Sequence, residues 1–284
     1  MSPSANYQYI LPDYNSRVFG MFGGQQKYEE SIERLIEFAQ IEPDSKVLEL
    51  CCGTGIATKY IMRYSSNILG VELNPKLVTQ ARTHLPSYIS ILTQNGLNSG
   101  IKHKNKYDLI LCVNGFHYFN PAEFYDLTSG LLAPEGKVVF NVKLGEYERN
   151  KPIHYQAYTA YFDALKELFT NYGLHLPSIS GLSDRGFINS KFTEESFGDI
   201  IGDLYLNRKQ INKVLIDNPE AKENYIGYWV QMIQELSLGF GFRPTKDNLY
   251  SVIKKHLSPL LEQEEVLAKA ELFLEARSLR RAES

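Results

Sequence analysis

Apolar and polar positions follow two periods along the first half of the chain. In residues 25–40, QQKYEESIERLIEFAQ, the apolar residues Ile32, Leu35, Ile36 and Ala39 recur at helical spacing opposite a charged face. EPDS ends that helix, and KVLEL reads as a buried strand, followed by CCGTG as a turn and IATKYIMRYS as a helix. NILGVEL is the second strand, and NPKLVTQARTHL a helix opened by Asn74 with Pro75 at its first position. YISILTQ gives a third strand. YDLILCVNG gives a fourth, almost wholly apolar as befits a strand covered on both faces. A helix over AEFYDLTSGLL, a turn at APEG and a strand over KVVFNVKL complete the series. Short strands alternating with helices predict an α/β fold with a doubly wound, mostly parallel sheet.

Beyond Leu144 the pattern changes. Residues 153–172, IHYQAYTAYFDALKELFTNY, predict a strongly aromatic amphipathic helix, and GLHLPSISGLSDRGF a loop. TEESFGDIIGDLYL reads as a helix capped by Thr193, with acids in its first turn. KQINKVLID suits a strand, NPEAKENYIGYWVQMIQELS a helix, and DNLYSVIKKHLSPLLEQEE a helix interrupted near Pro259. AKAELFLEARSL alternates like a last strand. This divides one structural domain into an N-terminal lid segment (1–27), a core (28–146), a helical cap (147–264) with one late strand near 210–217, and a final strand with a basic tail (265–284).

Composition narrows the chemistry. The 284 residues carry 30 Lys+Arg against 33 Asp+Glu, a formal charge of −3. A protein that lives on nucleic acid usually shows a basic excess. The dense basic clusters, IKHKNK and RSLRR, suit solvated surface, so no nucleic-acid partner is expected. No apolar run reaches the roughly 18 residues of a membrane span, and MSPSANYQYILPDYNS lacks the plan of a secretory signal. A cytoplasmic protein without a membrane partner is therefore expected. The three cysteines, Cys51, Cys52 and Cys112, have neither zinc-ligand spacing nor the number for a disulfide framework. No metal is expected.

The turn after the first strand is the expected ligand site of such a sheet. It is no phosphate loop, because no Lys follows its glycines, and the dinucleotide fingerprint fails at Ala57-Thr58. The run Glu49-Leu50-Cys51-Cys52-Gly53-Thr54-Gly55 does resemble the first motif of the class I S-adenosylmethionine-dependent methyltransferases, an acid and small residues before Gly-x-Gly. Cys51 departs from it, standing where the family often has glycine. The family's later motifs follow in order: Glu72 at the end of GVEL, Asn95-Gly96 after the third strand, YDLILCVNGFHYF, and LLAPEGKVVFNV. The resemblance spans about residues 30–144. It implies a seven-stranded Rossmann-like sheet, with S-adenosylmethionine as cofactor and S-adenosylhomocysteine as its product. Glu49 would receive the methionyl ammonium, directly or through water. Glu72 would take the ribose hydroxyls, and Asn95 the adenine amino group. Cys51, Gly53, Gly55, Leu73, Gly96 and Asn114 would complete the cofactor contacts, with Cys51 and Cys52 as small spacers rather than catalytic thiols.

Methyl transfer from a sulfonium asks the protein to position the acceptor, exclude water and, for OH, NH or acidic CH acceptors, remove a proton. His117, just past the fourth strand, is the first candidate base, with simple packing as its alternative. Tyr9 and Tyr14 in the lid segment are further catalytic candidates by a looser resemblance to phosphoethanolamine-type enzymes. Phe116, Tyr118, Tyr155, Tyr158, Tyr228 and Trp229 are candidates for an aromatic acceptor pocket, and packing within the cap is again the plain alternative. NGFHYF lacks the Asn/Asp-Pro-Pro-Tyr/Phe motif of nucleic-acid amino-methylases. The expectation is a methyltransferase of small-molecule biosynthesis, monomer or homodimer, acting on O, N or C of an apolar or aromatic metabolite. The rival readings are a methylation-triggered cyclase and a catalytically silent scaffold.

Overall fold

The computed structural model describes residues 14–94, 107–144, 152–174, 200–201, 204–239, 242–262 and 266–278. Its strands are β1 (Val47–Leu50), β2 (Ile68–Glu72), β3 (Ser90–Thr93), β4 (Tyr107–Cys112), β5 (Leu132–Lys143), β6 (Ile200–Ile201), β7 (Leu204–Ile216) and β8 (Val266–Ser278). The helices are α1 (Tyr14–Met21), α2 (Gln25–Ala39), α3 (Ile56–Ile61), α4 (Pro75–His84), α5 (Pro121–Leu131), α6 (Pro152–Asn171), α7 (Pro219–Gly239) and α8 (Lys246–Leu261). The strands form one sheet in the order β3-β2-β1-β4-β5-β8-β7-β6. Pairs from β3 to β5 are parallel; β5–β8, β8–β7 and β7–β6 are antiparallel. The expected strands are therefore joined by an eighth, two residues long, at one edge.

The chain runs outward from β1 to β3 and returns to β4 on the other side of β1. The turn after β1 thus sits where strand order reverses, the place at which such sheets receive ligands. Period-two alternation sorts the strand residues into two cores. Val47, Leu109, Leu111, Val139 and Phe273 face α2, α3 and α4. Leu48, Leu50, Ile110, Phe140, Leu272 and Leu274 face α5 and the turn after β4. A third core joins α6, α7 and α8 to Val214 and Ile216 of β7 and to Phe22 between α1 and α2. The cap is thus continuous with the end of the sheet, and Phe22 anchors the junction of α1 and α2 in it. Among the described residues no helix is long and apolar enough to cross a membrane.

Two local readings change. The helix expected over residues 193–206 is not present where the chain is described: Ile200–Ile201 and Leu204 onward are paired strands. IGDLYL carries β-branched Ile201 and aromatic Tyr205 as well as apolar residues at helical spacing, and pairing with β8 decides between the two. The late strand consequently begins at Leu204 rather than near 210 and runs as a 13-residue partner of β8. Pro259 lies within α8, which continues to Leu261.

Candidate active site

The turn after β1 is built from left-handed backbone: φ is +57° at Cys51, +56° at Gly53 and +79° at Gly55. Glycine tolerates this geometry, and Cys51 adopts it against its preference. The departure from the family motif therefore falls at a position where glycine is favoured for a conformational reason. A Cβ at Gly55 would stand 2.7 Å from Leu85 Cδ1, so that glycine lets α4 approach the turn. A Cβ at Gly53 would meet nothing within 4 Å. That open side lies next to Glu72, which suits a ligand passing over the backbone.

Glu72 ties two loops together. Gly53 N–H donates to its Oε2 at 3.0 Å and Asn74 N–H to its Oε1 at 2.9 Å. Each oxygen retains accepting capacity, enough for a pair of vicinal hydroxyls. Burial raises its pKa, and the amide bonds oppose the rise. Leu73, the next residue, is 40% exposed beside it. Glu49 is buried on β1, and its Oε2 accepts from Thr58 Oγ1 at 2.6 Å. Burial pushes its carboxyl to about 8, with Glu72 adding to the rise and Thr58 resisting it. A ligand ammonium placed here would draw the carboxylate back into its charged form. These accepting carboxylates fit a cofactor carrying a ribose and an ammonium.

Cys52 and Cys112 play no ionised part. Burial is the main cause raising the pKa of both Cys52 and Cys112, and the Cys112 thiol also meets Cys51. Protonated buried thiols are inert spacers.

At the end of β4 the backbone turns through Asn114, at φ +54°. Asn141 of β5 clasps it: Asn114 N–H donates to Asn141 Oδ1 at 2.7 Å, and Asn141 Nδ2 donates to Asn114 Oδ1 at 2.8 Å. The same Asn141 amide donates to Glu271 Oε1 at 2.9 Å. Ser31 Oγ (2.6 Å) and Asn212 Nδ2 (3.2 Å) donate to Glu271 Oε2, and Lys269 Nζ lies 2.8 Å from Oε1. Burial alone would raise the pKa of this enclosed carboxyl, yet Lys269 and the hydroxyl and amide donors hold it lower than usual. Tyr28 of α2 hydrogen-bonds Asn114, and burial keeps its phenol protonated. Four elements distant in sequence thus fix one turn.

His117 and Tyr118 follow in a single 3-10 turn, their rings 3.9 Å apart. The His117 ring is accessible, yet loss of hydration is the first cause holding its pKa down to about 4, followed by the charges of Lys269 and Lys143. Its imidazole is neutral at physiological pH and is a weak base.

The structure separates the other predicted residues. Glu49, Gly53, Gly55 and Glu72 come together at the β1–β2 end, and Asn114, His117 and Tyr118 at the β4 end. Phe116 is not a pocket residue: it is fully buried, stacked on Phe140 at 4.6 Å. Trp229 is likewise core, against Tyr161 at 4.8 Å. Tyr228 packs on Trp229 and against Gly20 of α1, where a Cβ on the glycine would stand 2.7 Å from its own. Tyr14 opens α1, and Tyr155 and Tyr158 lie on α6; their side chains fall outside the described part. Tyr9, Asn95 and Gly96 lie outside the described residues altogether. Sequence reasoning passed over Tyr28, Asn141, Lys143, Lys269 and Glu271. Lys269, Glu271 and Glu275 alternate with apolar residues in a strand, and charge on a face that must be covered was the available signal. A cavity of about 460 Å³ under α1, lined by Asn15, Lys59, Tyr60, Arg63 and His84 among others, contains none of the predicted residues. The convergence of Glu49, Glu72 and the open face of Gly53 favours the strand ends over that cavity.

Comparison with known proteins bears on the same part of the chain. Residues 47–136 match the family model described as a methyltransferase domain. The chain is 29% identical over 111 residues to the uncharacterized methyltransferase sll0829 of Synechocystis, covering 38% of this chain and 49% of that protein. It is 32% identical over 103 residues to the protein-L-isoaspartate O-methyltransferase of Koribacter versatilis, covering 35% and 46%. The chain therefore spans about half the length of the curated relatives it matches. Among solved structures, the cyclopropane synthase MmaA2 of Mycobacterium tuberculosis superposes with a TM-score of 0.50 at 12% identity, over 87% of this chain and 83% of that one, a likeness of fold. Over residues 47–136 the chain is thus similar to methyltransferase domains, set on a sheet whose fold the solved cyclopropane synthase shares.

Proposed function

We propose that the protein transfers the methyl group of S-adenosylmethionine to a heteroatom, or to carbon, of a small metabolite by in-line displacement. The observation that carries this reading is the Glu72 carboxylate, bonded to the amides of Gly53 and Asn74 with capacity left for a ribose. The cofactor supplies an electrophilic methyl on a cationic sulfur. The chain supplies Glu49 for the ammonium, Gly53 as the open floor, and the Asn114 turn that carries His117 to the acceptor side. A cap with its own core beside the sheet suits an enclosed small acceptor better than a polymer lying across the surface, and the balanced charge suits no nucleic-acid partner. A cytoplasmic monomer or homodimer without a resident metal accords with the composition.

Calorimetric titration with S-adenosylhomocysteine tests it. The wild type is expected to bind in the micromolar range, and Glu72→Ala to weaken binding tenfold or more, about 1.4 kcal/mol. A wild type that binds nothing leaves only the scaffold reading.

A further inference from the structure

The cofactor reading gives no part to the cavity under α1. Its volume of about 460 Å³ falls within the range of small-molecule sites, roughly 300–1,000 Å³. Half-buried Phe19 and Ile56 and the buried ring of Tyr60 give it an apolar wall. Its polar groups are not equally committed. Glu29 Oε1 accepts from Gln25 at 2.8 Å, and Oε2 from the Tyr60 hydroxyl at 2.9 Å. Arg63 pairs with Glu33 and lies over the Tyr60 ring at 4.4 Å. Lost hydration, then the charge of Lys59, lowers the pKa of His84, which therefore adds no charge near neutral pH. Asn15 Oδ1 accepts from Thr54, which leaves the Asn15 NH2 group uncommitted among the described residues. Lys59 is exposed and has neither an ion pair nor a side-chain hydrogen bond among the described residues. The uncommitted groups are thus donors, an ammonium and an amide, whereas each Glu29 oxygen already has its donor.

We propose that this cavity is a second ligand site, for a small organic oxyanion (a carboxylate or a phosphate) received by Lys59 and the Asn15 amide. The ligand's apolar body lies on Phe19 and Ile56. Arg63 contributes as well, since an exposed pair such as Arg63–Glu33 is weak enough to be shared. A cationic ligand fits less well, because two cations line the cavity against the one carboxylate of Glu29. The site also bears on the turn after β1. Asn15 grips Thr54, between Gly53 and Gly55, through one atom of its amide and the anion through the other. An occupied cavity therefore steadies α1 on that turn. The coupling rests on the cofactor reading and is reciprocal: the anion and the cofactor raise each other's affinity by the same factor.

The test titrates the full chain, without other ligands and at low ionic strength, with benzoate and phenyl phosphate, each against neutral benzamide. At least one anion is expected to bind tenfold or more tighter than benzamide, and the tighter of the two tells carboxylate from phosphate. Lys59→Gln, an exposed substitution, is expected to cut that preference to threefold or less, and Lys59→Arg to keep most of it. Equal affinity for both anions and benzamide, absence of binding included, overturns the proposal, as does a preference that Lys59→Gln leaves intact. The titration is then repeated on protein saturated with S-adenosylhomocysteine, where the anion is expected to bind threefold or more tighter. Equal affinity overturns the coupling, and weaker binding puts the anion in the cofactor's place and overturns the site. A wild type that fails to bind S-adenosylhomocysteine removes the cofactor reading and the coupling, while the first titration still decides the site.

Discussion

At the β1–β2 end of the site the buried titratable groups are carboxylates, Glu49 and Glu72, and burial has moved both above their usual range. At the β4–β5–β8 end stand accessible His117, moved down, and the Lys269–Glu271 pair beside exposed Lys143. The first end keeps acceptors that a bound cation would satisfy, whereas the second already pairs its buried carboxylate with a lysine. The ends also differ in construction. The first is held by backbone amides and neighbours close in sequence, such as Thr58 on Glu49 and Asn74 on Glu72. The second is held by side chains that the fold alone brings together: Ser31, Asn114, Asn141, Asn212 and Glu271.

The largest effect should come from breaking the second end. Glu271→Ala removes the only carboxylate bonded to Lys269 among the described residues and strips Asn141, Ser31 and Asn212 of a shared acceptor. Removing one partner of a buried ion pair costs about 3–5 kcal/mol, and urea unfolding should show a loss on that scale. A loss below about 1 kcal/mol would mean that water replaces the carboxylate and that the network is looser than its distances imply.

That contrast explains what could be read from the chain. The β1–β5 order, Glu49, Gly53, Gly55 and Glu72 were legible because strand periodicity and a contiguous turn encode them locally. The β4–β5–β8 end was not, because Asn141, Lys269 and Glu271 acquire their meaning only when β8 inserts beside β5, 130 residues from Asn141 to Glu271. Phe116 and Trp229 were misplaced for a related reason. An aromatic residue near a strand end or on a cap helix reads the same whether it lines a cleft or fills a core, and packing with Phe140 or Tyr161 decides. Residues 200–206 show local ambiguity resolved by a distant partner, β8.

A second prediction separates the ends by pH. Glu49 holds its proton up to about 8 in the folded protein and about 4.5 unfolded, so the native state binds more protons between those values. Stability from this group is complete below pH 4.5 and is lost as pH rises through 8, at most about 1.4 kcal/mol per unit. His117 has the opposite sign. Its folded pKa is depressed to about 4, so its contribution is present above pH 6.5 and is lost as pH falls through 4. The two oppose each other between pH 4.5 and 6.5, and Glu49 acts alone from 6.5 to 8. The melting temperature of the ligand-free protein should therefore fall from pH 6.5 to 8, and Glu49→Gln should flatten the fall. S-adenosylhomocysteine affinity should rise over the same interval, because its ammonium favours the ionised carboxylate. A wild-type slope unchanged in Glu49→Gln would assign the titration to another group.

The smallest effect concerns the bond between α1 and the turn after β1. Thr54 Oγ1 donates to Asn15 Oδ1 at 3.0 Å, which fastens α1 to the Gly-x-Gly loop, while Phe22 fastens the segment just after α1 in the cap core. The second attachment is apolar and extensive, so Asn15→Ala should leave the lid in place and cost about 0.5–1.5 kcal/mol, the worth of one hydrogen bond. Its signature should be kinetic. With the loop end released, S-adenosylhomocysteine should dissociate several-fold faster in stopped-flow displacement, while the association rate changes little. If association slows instead, the bond serves to preshape the open turn for the incoming cofactor rather than to hold the lid over it, and the lid belongs functionally with the β1–β2 end alone.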